Sequence, residues 1–234
     1  MRKIAVFVEG QTESIFAQEL IRQLIGEKYL LIDSCKLLGG RKSPRKLVIM
    51  NISGNNDEVK YYFMIYDCGG DGRVKSDIID RISTMEKEGF SLAIGIRDVY
   101  PNNNNIAKLR SYLLFGVPSS ILDIRIVLAV NEVESWFLAE DKHYKKVDKR
   151  LTPALVSSVI GINILSCSTE SIDHPSDALN DVYQQVGKAY KKTRTHVCRT
   201  VHNLDYENLY VCVRHRNNSL CELLNILDSI IIPT

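Results

Sequence analysis

The chain has 234 residues, of which 45% are hydrophobic and 25% charged, and a formal net charge of +2. That length can bury a full core, as one domain with an appendage or as two small domains. The balanced charge excludes a histone-like or acidic-tail protein but leaves local patches open.

The first 140 residues alternate between two hydrophobic periods. Ile4–Val8, Leu47–Ile52, Tyr61–Tyr66, Ser91–Ile96 and Ile124–Val130 read as strands, several of them apolar almost throughout, as strands buried on both faces are. Helical periodicity lies between them at Thr12–Glu27, Lys75–Glu88 and Ile106–Phe115. In the first of these Ile15, Phe16, Leu20, Leu24 and Ile25 make one apolar face. Strands alternating with helices predict an α/β fold, a mostly parallel sheet flanked by helices. Gly39-Gly40, Gly54-Asn55-Asn56, Gly69-Gly70-Asp71-Gly72 and Pro101 with Asn102–Asn105 punctuate it as loops. Beyond Glu140 strand signals fade, and helices are expected near Thr152–Ile160, Ser176–Tyr190, Thr193–Asn203 and Ser219–Ile230. The expected organisation is an α/β body over 1–140 and a helical C-terminal appendage, 141–234, packed on it.

No apolar run approaches the roughly 20 residues that span a bilayer. Ile4–Val8 is too short for a signal peptide and is followed at once by Glu9. Six cysteines without a C-x-x-C pair read as reduced thiols. A soluble, cytoplasmic protein with no membrane partner is expected.

The strands end in acids: Glu9, Asp67, Asp98 and Glu132, with Glu134 close behind. In a parallel sheet the carboxyl ends share one edge, where α/β proteins build their sites. Like charges gathered there repel, and a shared proton or a bound cation relieves them. Hard oxygen ligands favour Mg2+ or Mn2+ over zinc. The plain alternative for any one of these acids is a solvated loop cap.

Val8-Glu9-Gly10-Gln11-Thr12-Glu13 resembles the first motif of Toprim domains, in the V-E-G-x-T-E form of the OLD-like nuclease branch. Ile96-Arg97-Asp98-Val99-Tyr100 falls where Toprim domains carry D-x-D. Val130-Asn131-Glu132-Val133-Glu134-Ser135-Trp136-Phe137-Leu138 is similar to the E-x-E-S-W segment of the stand-alone Toprim-like proteins called DUF4276, and Tyr190-Lys191-Lys192-Thr193 to their Y-x-K-T stretch. The resemblance covers most of the chain in the right order. It implies a Toprim, Rossmann-like fold and divalent-metal phosphodiester chemistry on nucleic acid. Glu9 and Asp98 would hold a metal, Glu13 would reach a second, Glu134 or Glu132 would complete the cage, and Lys192 would offset phosphate charge. Where the second D-x-D acid is expected stands Tyr100. Either Glu132, Glu134 or Asp67 replaces that acid, or one metal binds, or catalysis is lost. Such proteins are often effectors of anti-phage defence beside an ABC-type ATPase, and in the PARIS system a related effector attacks transfer RNA.

Lys188, Lys191, Lys192, Arg194, Arg199, Arg214 and Arg216, interleaved with Tyr190, Tyr206 and Tyr210, have the composition of a surface that tracks phosphates and stacks bases. A solvated helix face is the alternative. Arg41 and Lys42, in the basic run Gly39–Lys46, make a second candidate patch or a plain surface turn. His196, Cys198, His202, Cys212 and His215 fit no standard zinc-finger spacing. Trp136 and Phe137 are expected to anchor a helix after Glu134.

The function expected is a Mg2+- or Mn2+-dependent nuclease acting on DNA or RNA, tRNA included, with Glu9, Asp98, Glu134 and Lys192 catalytic. A non-catalytic, nucleic-acid-binding partner of an ATPase is the first alternative. A phosphatase or nucleotidyl transferase on small substrates is the second. A homodimer is compatible with either.

Overall fold

The structure is a computed structural model and describes residues 1–40, 43–54, 58–70, 72–99, 106–118 and 120–231, by backbone alone at 43, 44 and 114. Two compact units compose it: Met1–Arg97 with Asn105–Leu128, and Asp98–Asn104 with Ala129–Thr234.

The first unit is built on a six-stranded sheet of β1 (Arg2–Val8), β2 (Leu30–Gly40), β3 (Ser43–Asn51), β4 (Tyr61–Asp67), β5 (Phe90–Asp98) and β6 (Asp123–Ala129), ordered β3-β2-β4-β1-β5-β6. β1 runs parallel to β4 and β5, and β2 parallel to β4; the β2–β3 hairpin is antiparallel. The expected mostly parallel α/β sheet is therefore present. Ile4 to Val8 are buried on both faces, as a central parallel strand requires. Ala5 and Phe7 join Cys35, Leu37, Tyr66, Val74 and Ile78 in one cluster under α2 (Val74–Lys87). The other helix on the sheet, α1 (Gln11–Ile25), packs Phe16, Ala17, Leu20 and Ile21 inward and touches β1, β2 and β4. α3 (Ile106–Leu114) precedes β6.

Two sequence expectations are corrected here. Leu30–Gly40 is a strand that no apolar alternation announced, because Asp33, Ser34 and Lys36 interrupt it. Tertiary partners meet two of them: Asp33 accepts from Tyr62 Oη at 3.0 Å and from the Ser53 amide at 2.7 Å, and Lys36 stands beside Asp67. The basic run Gly39–Lys46 is consequently no long loop. Gly39 and Gly40 end β2, and β3 begins at Ser43. Arg45 turns inward to Asp77 and to the carbonyls of Leu37, Gly39 and Cys68.

The second unit is helical: α4 (Glu134–Ala139), α5 (His143–Val147), α6 (Pro153–Ile160), α7 (Pro175–Gln184), α8 (Arg194–Asn203), α9 (Tyr206–Val211) and α10 (Asn218–Ile231). α7 stops at Gln184, short of the expected Tyr190. Gly187 takes a left-handed φ of 73°, and the amides of Val186 and Lys188 both fold back to the Tyr183 carbonyl. α5 and α9, at five and six residues, are too short to show a period. Trp136 and Phe137 are fully buried, as expected, and Trp136 Nε1 donates to Ser219 Oγ at 2.8 Å. No described helix is long and apolar enough to cross a membrane.

Gly95 in β5 lies directly beneath α2. A Cβ there would sit 2.9 Å from Val74 Cγ1, 3.2 Å from Ile78 Cδ1 and 3.3 Å from Ile126 Cγ1. Gly95→Val is expected to destabilise the fold by roughly 1–3 kcal/mol through overpacking. Gly95→Ala should cost less, and urea unfolding midpoints of the two variants measure the order.

Candidate functional site

In the first unit, β1 ends at Val8 and hands Glu9 to a turn, and α1 opens two residues later. The parallel register pairs Val8 with Ile96, so the next residues along, Glu9 and Arg97, fall side by side. Arg97 Nε stands 3.4 Å from Glu9 Oε1. Glu13, in the first turn of α1, is buried with Glu9, and its carboxylate lies 3.4 Å from where a Gly10 Cβ would be. The helix amides there favour a negative charge. Asp67 closes β4 beside Lys36, which the register places opposite it, with Nζ at 3.6 Å from Oδ2. Its Oδ1 accepts the amide of Gly69, whose φ of 70° needs glycine. Asp67 thus caps the glycine turn.

In the second unit, Asp98 ends β5 and accepts the Val133 amide at 3.2 Å. Asn131 sets up the next turn with a left-handed φ of 62°, its side chain donating to the Ile172 carbonyl at 2.5 Å and the Glu170 carbonyl at 3.2 Å. That turn delivers Glu132, half-buried, and Glu134, fully buried in the first turn of α4. Lys192 comes to both: its Nζ lies 2.8 Å from Glu132 Oε1 and 3.5 Å from Glu134 Oε2. Tyr190 Oη donates to Glu134 Oε1 at 2.8 Å, and the Ser176 amide at the start of α7 donates to Glu132 Oε2 at 2.9 Å.

Burial works against the Lys192 charge, but Glu134, Glu132 and Asp98 outweigh it and hold the ammonium well above its ordinary pKa. Burial would raise Glu132. The Lys192 ammonium and the Ser176 amide overcome that and lower it. Asp98, Glu132 and Glu134 thus all act on the Lys192 ammonium. Carboxylate oxygens are the donors a hard divalent cation takes, usually one or two of them with water. Among the described residues, no group of three or more His, Cys, Asp or Glu side chains is placed to hold a metal ion, so a cation there would rest on one or two carboxylates with water.

Of the seven expected phosphate contacts, four serve the fold. Lys188 donates to the Val147 carbonyl, and Arg199 to the Ala189 carbonyl over the Tyr183 ring. Arg214 pairs with Asp228 at 2.9 Å, and Arg216 bonds the carbonyls of Leu165 and Ala139 at 3.1 Å each. Lys191, Lys192 and Arg194 remain at the surface. Tyr190 and Tyr206 are buried, so they are corrected from base-stacking platforms to core residues, their rings enclosed by the helices. Arg41, Lys42 and Tyr100 lie outside the described residues.

Sequence reasoning missed Arg97, Tyr190 as the partner of Glu134, and Ser176. Arg97 had a signal, a cation inside an apolar strand next to Asp98; the other two depend on long-range closure. It also missed the fully buried Glu140. Glu140 accepts from the amides of Lys142, His143 and Asp205 at 2.9, 2.8 and 3.1 Å and from Asn208 Nδ2 at 2.6 Å. Burial would raise it, yet His143, Asn208 and the Lys142 amide bring its pKa down to about 2.

Comparisons of the chain with protein-family models, with curated proteins and with solved structures return no match.

A carboxylate depressed from 4.5 to about 2 stabilises the fold above its unfolded pKa and loses that contribution as pH falls through the interval. The linked free energy is roughly 3 kcal/mol. Glu140→Gln should therefore lower stability at pH 7, with the gap from wild type closing between pH 4.5 and about 2 in denaturant titrations run across that range.

Proposed function

We propose that the chain is a divalent-metal-dependent nuclease of the Toprim kind, hydrolysing phosphodiester bonds in DNA or RNA. The observation that carries this reading is the gathering of Asp98, Glu132 and fully buried Glu134 about the Lys192 ammonium, at positions the motifs mark. Asp98, Glu132 and Glu134 would hold Mg2+ or Mn2+. When bound, that ion supplies Lewis-acid charge to a phosphate oxygen and lowers the pKa of a water.

The chain's own groups do the rest. Tyr190 fixes one oxygen of Glu134 and leaves the other towards Lys192. Lys192, partly exposed, offers a donor for charge that develops on a phosphate oxygen. Lys191 and Arg194 add surface charge for backbone affinity, weakening with salt. In the first unit Glu9 and Glu13 are both buried, and Arg97 reaches Glu9. On the motif resemblance, the protein would act as a defence effector held or released by an ABC-type ATPase, with tRNA among its substrates.

A second reading is a nucleic-acid-binding or regulatory module without turnover. The ion pairs of Lys192 with Glu132 and of Arg97 with Glu9 favour it, since each neutralises part of its acidic group internally.

Plasmid DNA, single-stranded DNA, total RNA and tRNA are incubated with Mg2+ or Mn2+ and with EDTA. The expected result is metal-dependent cleavage, abolished by EDTA and reduced at least about a hundredfold by Glu134→Gln or Asp98→Asn, with unfolding midpoints confirming that the variants fold. No cleavage of any of these polymers with either metal overturns the nuclease. Salt-sensitive binding without cleavage supports the module.

A further inference from the structure

β3 lies at the edge of the sheet. One side pairs antiparallel with β2, Leu37 opposite Leu47 and Cys35 opposite Ile49; among the described residues no strand pairs with the other. Such an edge presents a row of backbone N–H and C=O groups that templates another strand. Edges are commonly blunted by being short or charged. β3 has nine residues; Pro44, Arg45 and Lys46 blunt its first half, but Leu47-Val48-Ile49-Met50 beyond them carries no charge.

The side chains extend this. Cys35 and Leu37 belong to the core cluster with α2 and are 1% exposed. Their cross-strand neighbours Ile49 and Leu47 stand on the same face by register and are 57% and 37% exposed. The apolar face of the sheet therefore continues outward beyond its buried part. On the opposite face Met50 is 58% exposed.

We propose that β3 pairs with β3 of a second copy of this chain, antiparallel about a two-fold axis, joining two six-stranded sheets. The strand itself selects this occupant. Residues directly opposite in an antiparallel pair share the same side of the ladder, so in identical strands the axis passes through a residue and not between two. Centred on Val48, Leu47 of one copy faces Ile49 of the other and Lys46 faces Met50. Centred on Ile49, Val48 faces Met50 and Leu47 faces Asn51. In both registers the cations meet uncharged residues, and the half-exposed apolar face finds its continuation in the other copy. A charged strand from a different protein would leave its charges against four apolar residues.

Sedimentation equilibrium of the full chain at micromolar concentration tests this. The expected species is a dimer. Ile49→Lys should raise its dissociation constant at least about a hundredfold by placing like charges at the centre of the pair, while the unfolding midpoint, compared at a concentration where both proteins are monomeric, stays unchanged. Met50→Lys repeats the disruption from the opposite face, and Tyr112→Lys, elsewhere on the exposed surface, leaves the dimer intact. Under mild oxidation either Val48→Cys or Ile49→Cys should form a cross-linked dimer above the wild-type background from Cys167 and Cys212. A monomeric wild type, a dimer indifferent to both lysine variants, or no cross-link at either position overturns the proposal.

Discussion

Glu134 has no exposed surface, and an isolated carboxylate so placed would cost several kcal/mol to ionise. The second unit is arranged around that cost. Tyr190 gives one oxygen a hydrogen bond, and Lys192 stands near the other. Both donors come from a stretch more than fifty residues downstream of the acid they serve, so the chain from α4 through α7 must close before Glu134 is tolerable. Its neighbours hold the closure. Trp136 reaches Ser219, Ser219 reaches Glu170, and Thr169 Oγ1 bonds the Ser135 carbonyl at 2.6 Å.

The first unit handles its acids differently. Backbone register alone sets Arg97 beside Glu9 and Lys36 across from Asp67. A slip of one residue in the β1–β5 register would separate the first pair, and one in the β2–β4 register the second. Glu13, in the first turn of α1, also has the helix amides favouring its charge. The acids of this unit are thus held by the sheet and helix themselves, whereas those of the helical unit are held by side chains brought from afar.

Basic residues divide along the same line. Arg199, Arg214 and Arg216 each join segments of the helical unit through carbonyls or Asp228, and Arg45 does so in the first unit through Asp77 and three carbonyls. A guanidinium is suited to this, since its planar fork satisfies several acceptors at once. Charge counted along the sequence therefore overstated the surface offered to a phosphate backbone. Of the seven counted between Lys188 and Arg216, Lys191, Lys192 and Arg194 stay exposed.

By itself the sequence determined the alternation of strand and helix, the strands β1, β4, β5 and β6, and the placing of Glu9, Asp67 and Asp98 at or just past strand ends. Each of these is local: apolar period, β-branched content and glycine punctuation act within a few residues. The sequence also carried Lys192 as a candidate partner for the acids, through a motif. Tertiary structure alone decided that β2 is a strand despite Asp33, Ser34 and Lys36, because Tyr62 and Ser53 meet Asp33 and Asp67 meets Lys36. It alone buried Tyr190 against Glu134, withdrew Arg199, Arg214 and Arg216 from the surface, and made Glu140 a depressed, enclosed carboxylate. The physical reason is common to all four. The fate of a polar side chain depends on which groups meet it when distant segments close, and no periodicity in the chain encodes that meeting.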